Sequence, residues 1–282
     1  AYHSPRGPRR NVYRHPHGDT SMVISHFFSR LYARTALAYI PILFLLGAYF
    51  TASASASTLL IWPVYPLIES DQNSTALWVE NRGNQSVFIQ LRVFAWEQRD
   101  NQDLTLEQNN IVGSPPMVEI DPGERQLIRL VAQQPAPANT EQAWRVLLDE
   151  IPTQASTNNS SSMRAAINLQ MRYSLPLFSY GDGLSSEAAK TTAATQLRWH
   201  VKVIEGQPHL VITNLGPTHA RLSDVQSVRH EQAQHIQEGL LGYVLAHSER
   251  HWPLATTPSF SSLQARVNGG ELTSLEKAND HP

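Results

Sequence analysis

The stretch MRAAINLQMRYSLPLF, Met163 to Phe178, decides how this chain is read. Ala165, Ile167, Leu169, Met171, Tyr173 and Leu175 alternate with Ala166, Asn168, Gln170, Arg172, Ser174 and Pro176. Period two over this length predicts a long β-strand with one apolar face. A polar run, Thr153 to Ser162 (TQASTNNSSS), precedes it and reads as a loop, because it has nothing to pack into a core. Two roles fit such a strand. It is a central strand of a β-sandwich, or it is an edge strand that lends its apolar face to another protein.

Outward from this strand, composition narrows the choices. The chain has 282 residues, enough for one large domain or two small ones. Charged residues make up 16% and the formal net charge is −2, so no basic footprint points to nucleic acid. Cysteine is absent, which excludes disulfides, thiol catalysis and cysteine-ligated zinc.

Residues 1–56 read as an upstream segment followed by a secretory signal peptide. Arg30 and Arg34 form a positive n-region, Leu37 to Phe50 (LAYIPILFLLGAYF) an apolar h-region, and Thr51 to Ala56 (TASASA) a small-residue cleavage site. The apolar run is shorter than the roughly 20 residues of a spanning helix, and Pro41 interrupts it. This segment holds six Arg and one Asp, so the remainder keeps 16 bases and 23 acids, a net charge of −7. The expectation is an exported, mildly acidic protein with no stable membrane insertion once the signal is removed.

The rest predicts an all-β fold. Leu59 to Ile68 carries Pro63 and Pro66, which fits an edge strand kinked from one sheet to another. Strands follow at Thr75 to Glu80, Val87 to Trp96, Met117 to Ile120, Gln126 to Val131 and Trp144 to Leu148. With the long strand this is the count of an immunoglobulin-like sandwich over residues 57–178. Residues 179–196 read as a linker, 197–269 as a second β-sandwich, and 270–282 as a disordered tail.

These residues carry a family resemblance. Asn81-Arg82-Gly83, Arg92 to Trp96 (RVFAW), Ser114-Pro115-Pro116, Asp121-Pro122-Gly123-Glu124 and Trp144 to Pro152 (WRVLLDEIP) resemble the periplasmic pilus-assembly chaperones, in the branch that serves spore-coat-U-like subunits. Asn214-Leu215-Gly216, Gly242 to Leu245, Arg250 and Trp252 resemble their second domain. The resemblance implies two immunoglobulin-like sandwiches at an angle, with a cleft between them. It implies a periplasmic chaperone that donates a β-strand to pilus subunits and delivers them to an outer-membrane usher. The alternative is an exported structural or adhesive protein of the same architecture, which keeps its strands for itself.

By register with the family's donor strand, the resemblance assigns Ala165, Ile167 and Leu169 to the subunit groove, with Met171 nearer the cleft. The family holds the subunit's C-terminal carboxylate with an Arg on the first strand and a Lys on the long strand. This chain departs at both places: Leu59 to Ile68 contains no base, and the Lys position falls on Ser174. Arg92 and Arg172 are the expected replacements, with Arg145 in reserve, since guanidinium suits bidentate capture of a carboxylate. The resemblance gives Glu150 an interdomain ion-pair role, although the usual basic partner near the end of the long strand is missing.

No catalytic constellation accompanies this pattern. Asp149 and Glu150 are adjacent on a strand, so they point to opposite faces and form no paired-carboxylate site. His247 and His251 are four apart, but in a strand-and-turn setting that spacing does not make a metal site. No metal, no cofactor and no enzymatic activity are expected.

Overall fold

A computed structural model describes residues 59–151, 170–229, 232–255 and 261–279. The signal segment and the loop Thr153 to Ser162 lie outside these residues, as do Ala165, Ile167 and Leu169.

The first half is a two-layer sandwich. Its strands are β1 (Leu59–Trp62), β2 (Leu67–Ile68), β3 (Ser74–Asn81), β4 (Val87–Arg99), β5 (Gln102–Leu106), β6 (Ile111–Ser114), β7 (Met117–Ile120), β8 (Arg125–Ala132), β9 (Glu141–Ile151) and β10 (Arg172–Tyr180). One sheet has the order β1-β3-β8-β6, and the other β2-β10-β9-β4-β5, with β7 also on β4. The prolines after Trp62 break the first apolar run as expected: β1 pairs with β3 in one sheet, and β2 pairs with β10 in the other. Alternation sets what is buried. Leu77 and Val79, Ile89 and Leu91, Val146 and Leu148, and Leu175 and Leu177 meet between the layers. Each contributes about 1.5–3 kcal/mol by leaving water.

The second half has α1 (Ser186–Thr192), a 3-10 turn (Ala193–Gln196), then β11 (Leu197–Ile204), β12 (Gln207–Asn214), β13 (Ala220–Arg229), β14 (Gln232–Val244), β15 (Glu249–Pro253), β16 (Ser262–Val267) and β17 (Leu272–Lys277). Their order is β14-β13-β16-β17-β11-β12-β15. Trp199, Leu210, Ile212, Leu222, Val225 and Leu263 are among the buried residues of its core.

Two expectations are corrected. Residues 179–196 are not a plain linker. β10 runs on to Tyr180, Ser185 caps α1 by accepting from the Ala188 N–H at 3.2 Å, and Ala189 is buried. The expected disordered tail, residues 270–282, contains a strand in its described part, which ends at residue 279. β17 lies between β16 and β11 in the sheet, and Leu275 is 5% exposed. Its apolar content is low because Leu275 is the one residue of β17 that is buried.

Each half also contains a buried asparagine at the end of a strand. Asn81 Nδ2 donates to the carbonyls of Gln85 and Ile120, while its Oδ1 accepts from the Gly83 N–H. Asn214 Nδ2 donates to Thr218, Val244 and Leu245, and its Oδ1 accepts from the Gly216 N–H. The Asn-x-Gly spacing seen in the sequence is this corner: one amide closes its own turn and ties down a neighbouring segment.

A third apolar cluster joins the halves. Trp96, Phe178 and Tyr180 come from the first, and Ala189, Tyr243 and Leu245 from the helix and the second sheet.

Candidate functional site

β10 pairs with β9 along its whole length, from Arg172 opposite Asp149 to Tyr180 opposite Glu141. On its other side β2 reaches it only at Phe178 and Ser179. Among the described residues, the edge from Arg172 to Leu177 therefore has no neighbouring strand. Arg172 and Ser174 turn their backbone N–H and C=O groups outward, a template for another strand, and Pro176, which has no N–H, closes that template. Met171, just before it, is 42% exposed, and its carbonyl accepts from the Glu150 N–H at 3.0 Å.

The face of this sheet turned away from the core is built in cross-strand rows. Gln90, Asp149 and Arg172 form one; Arg92, Leu147 and Ser174 the next; Phe94, Arg145 and Pro176 the third. The register thus brings the three candidate arginines to one face. Arg92 and Arg172, from strands on either side of β9, share Asp149. Arg92 donates to Asp149 Oδ2 from Nη2 at 2.6 Å and from Nε at 3.2 Å, and Arg172 Nε donates to Oδ1. Burial pushes the Asp149 carboxyl up, but hydrogen bonds and charge from both arginines outweigh it and hold the group below the usual carboxylate range.

Arg145 differs. Its guanidinium stacks on the Trp96 ring at 3.5 Å and lies 5.9 Å from Tyr243 of the second half. It has no carboxylate within ion-pair distance among the described residues. Burial shifts its ionisation downward, partly offset by Asp103 and Tyr243.

Two carboxylates reach across the halves: Asp103, 3.7 Å from Arg250, and Glu141, which sequence reasoning missed. Glu141 is buried, and accepts from the His219 backbone N–H at 2.8 Å, with the His219 ring Nδ1 also 2.8 Å away. That ring stacks flat on Phe178, 3.5 Å between centroids. Gln98 adds a second tie, donating to the Tyr243 carbonyl and accepting from the Leu245 N–H. Glu150, the residue assigned that role, sits nine residues along β9 from Glu141, about 30 Å at strand rise, and accepts from the Tyr173 hydroxyl at 3.3 Å. No sequence pattern marks Glu141, because its partner comes from a distant segment. Two histidines of the second half, His209 and His251, meet edge to face at 5.0 Å, and the His251 ring Nδ1 accepts from Asn101 Nδ2 at 3.3 Å.

Two immunoglobulin-like sandwiches, the first with an open strand edge beside a basic face, define a class of two-domain β proteins. The comparisons make the family specific. Residues 65–185 match the model described as "Pili and flagellar-assembly chaperone, PapD N-terminal domain". A chain of the CsuC–CsuE chaperone–tip adhesion subunit pre-assembly complex, from archaic chaperone–usher Csu pili of Acinetobacter baumannii, is 33% identical, with TM-score 0.63. That match covers 79% of this chain and 100% of that one. The probable fimbrial chaperone YadV of Escherichia coli (strain K12) is 26% identical over 178 residues, 61% of this chain and 69% of the relative. The crystal structure of YadV shares the fold at TM-score 0.54 and 19% identity, covering 77% of this chain and 99% of that one. The chain belongs to the PapD-type pilus-assembly chaperones. The family acts by binding and is not enzymatic.

Proposed function

We propose that the protein holds pilus subunits in the periplasm by adding β10 and the segment before it to each subunit's sheet, then passes them to an outer-membrane usher. The observation that carries this is the open edge of β10. Tyr173, Leu175 and Leu177 face the protein's own core, and the sequence alternation continues the same face to Met171, Leu169, Ile167 and Ala165. One strand would thus serve two cores, its own at the C-terminal end and the partner's at the other. A sandwich short of one strand exposes an apolar groove and unpaired backbone, and both are satisfied by a donated strand. The solved CsuC–CsuE complex pairs a relative with a tip adhesion subunit, which supports a pilus subunit as the partner here.

Of the three arginines, Arg145 is best suited to take the subunit's C-terminal carboxylate, because it is partly desolvated and, among the described residues, has no carboxylate within ion-pair distance. A carboxylate entering a partly dry site needs such a partner.

Replacing Ile167 and Leu169 together with Asn is expected to abolish subunit capture in a periplasmic pull-down and to leave the melting temperature unchanged. Loss of folding in the double variant would show that these side chains belong to the protein's own core, and the strand-donor reading would fall.

A further inference from the structure

Part of the outer face of β4, β9 and β10 holds more arginine than carboxylate; Glu141, farther along the same face of β9, is engaged by His219. Three successive rows hold Arg172, Arg92 and Arg145 against Asp149 alone. This occurs in a chain whose residues beyond 56 are net negative by seven. Arg145 and the Arg92–Asp149–Arg172 cluster are distinct places. Arg145 lies one row beyond Arg92 and two rows beyond Arg172 and Asp149, about 13 Å from Asp149 at strand rise, so a carboxylate held on Arg145 does not also reach Arg172.

We infer that the Arg92–Asp149–Arg172 cluster docks an acidic side chain of the pilus subunit, at a site separate from the one for its C-terminal carboxylate. This rests on the chaperone reading above. Two guanidiniums against one carboxylate leave a net single positive charge. Asp149 engages Nε of both arginines and Nη2 of Arg92, so among the described residues Arg172 keeps both Nη groups and Arg92 keeps Nη1 for another acceptor. Asp149 also fixes the two long side chains in advance, and less rotamer freedom is then lost on binding. The side chains of Arg92 and Arg172 are 40% and 61% exposed, whereas Asp149 is 15% exposed beneath them. Position supplies the occupant. Arg172 opens the free edge of β10, so a subunit strand paired there lies alongside this face. Leu147 and Phe94 lie half-buried beside the cluster and offer apolar contact around the charge.

The test uses the mature protein and a pilus subunit identified by mass in complex with it. Affinity is measured against salt for wild type, for the Arg92→Ala/Arg172→Ala pair and for Arg145→Ala. Each is measured with the intact subunit and with a subunit whose C-terminal carboxylate is amidated. The paired variant is expected to bind about tenfold more weakly or worse, with a flatter salt dependence, toward both forms of the subunit. The deficit of Arg145→Ala should vanish with the amidated form. Exchange of one subunit Asp or Glu for its amide should abolish the difference between wild type and the paired variant. Wild-type affinity in the paired variant, or a deficit that disappears on amidation, overturns the inference while the chaperone reading stands. If the wild type takes up no subunit, both fall. Melting temperatures confirm folding, as both side chains are exposed.

Discussion

Asp149 illustrates how one residue sets the behaviour of a face. Its carboxyl is depressed because it serves two guanidiniums. A depressed carboxyl stabilises the fold above its unfolded value, and that contribution is lost as pH falls through the lower folded value. Asp149→Asn should therefore lose no more than about 1 kcal/mol at neutral pH, as befits an ion pair with exposed partners. The gap from wild type should close as pH drops below the usual carboxylate range, which thermal melts across an acid series would read. A gap that persists unchanged into strong acid would place the effect outside this ion pair. The arginines were legible as residue types on strands, but their pairing was not. Arg92 and Asp149 are 57 positions apart, and only the register of β4 against β9 joins them. Glu141 and His219 are 78 apart and were hidden for the same reason.

At the level of elements, alternation made the sandwich readable. Ile89 and Leu91, or Val146 and Leu148, announce their buried face by spacing alone. The split of the first strand at its prolines was readable too, because proline cannot join a ladder. What failed were elements whose stability comes from neighbours. α1 is short and rich in small residues, and it holds because Glu69 accepts from the Ser186 N–H and Asn268 donates to the Ala189 carbonyl. β17 looked like a tail because Leu275 is its buried anchor and the strand is otherwise polar, yet it pairs on both sides. Truncation after Gly270 should therefore destabilise the second half by more than the 2–5 kcal/mol typical of Leu275→Ala alone. A chemical-denaturation midpoint indistinguishable from wild type would contradict the central placement of this strand.

Across the whole molecule, the two halves are linked as well as adjacent. The third apolar cluster, the Glu141–His219 contact and the two bonds of Gln98 all cross between them. The face that bears Arg145 is assembled from both, since the ring below the guanidinium is Trp96 and the one farther off is Tyr243. The two asparagine corners make this coupling measurable in a calorimeter. Exchanging –NH2 for –O at Asn81 or at Asn214 deletes the donor, leaves the turn-closing acceptor, and sets a carboxylate against two or three carbonyls in one half only. Asn81→Asp and Asn214→Asp are thus matched local perturbations, one per half. If the shared cluster makes the halves melt as one cooperative unit, either exchange displaces a single heat-absorption peak intact. A trace that divides in two, with a different limb moving in each variant, would mean that the halves melt independently and that the joint between them acts as a hinge.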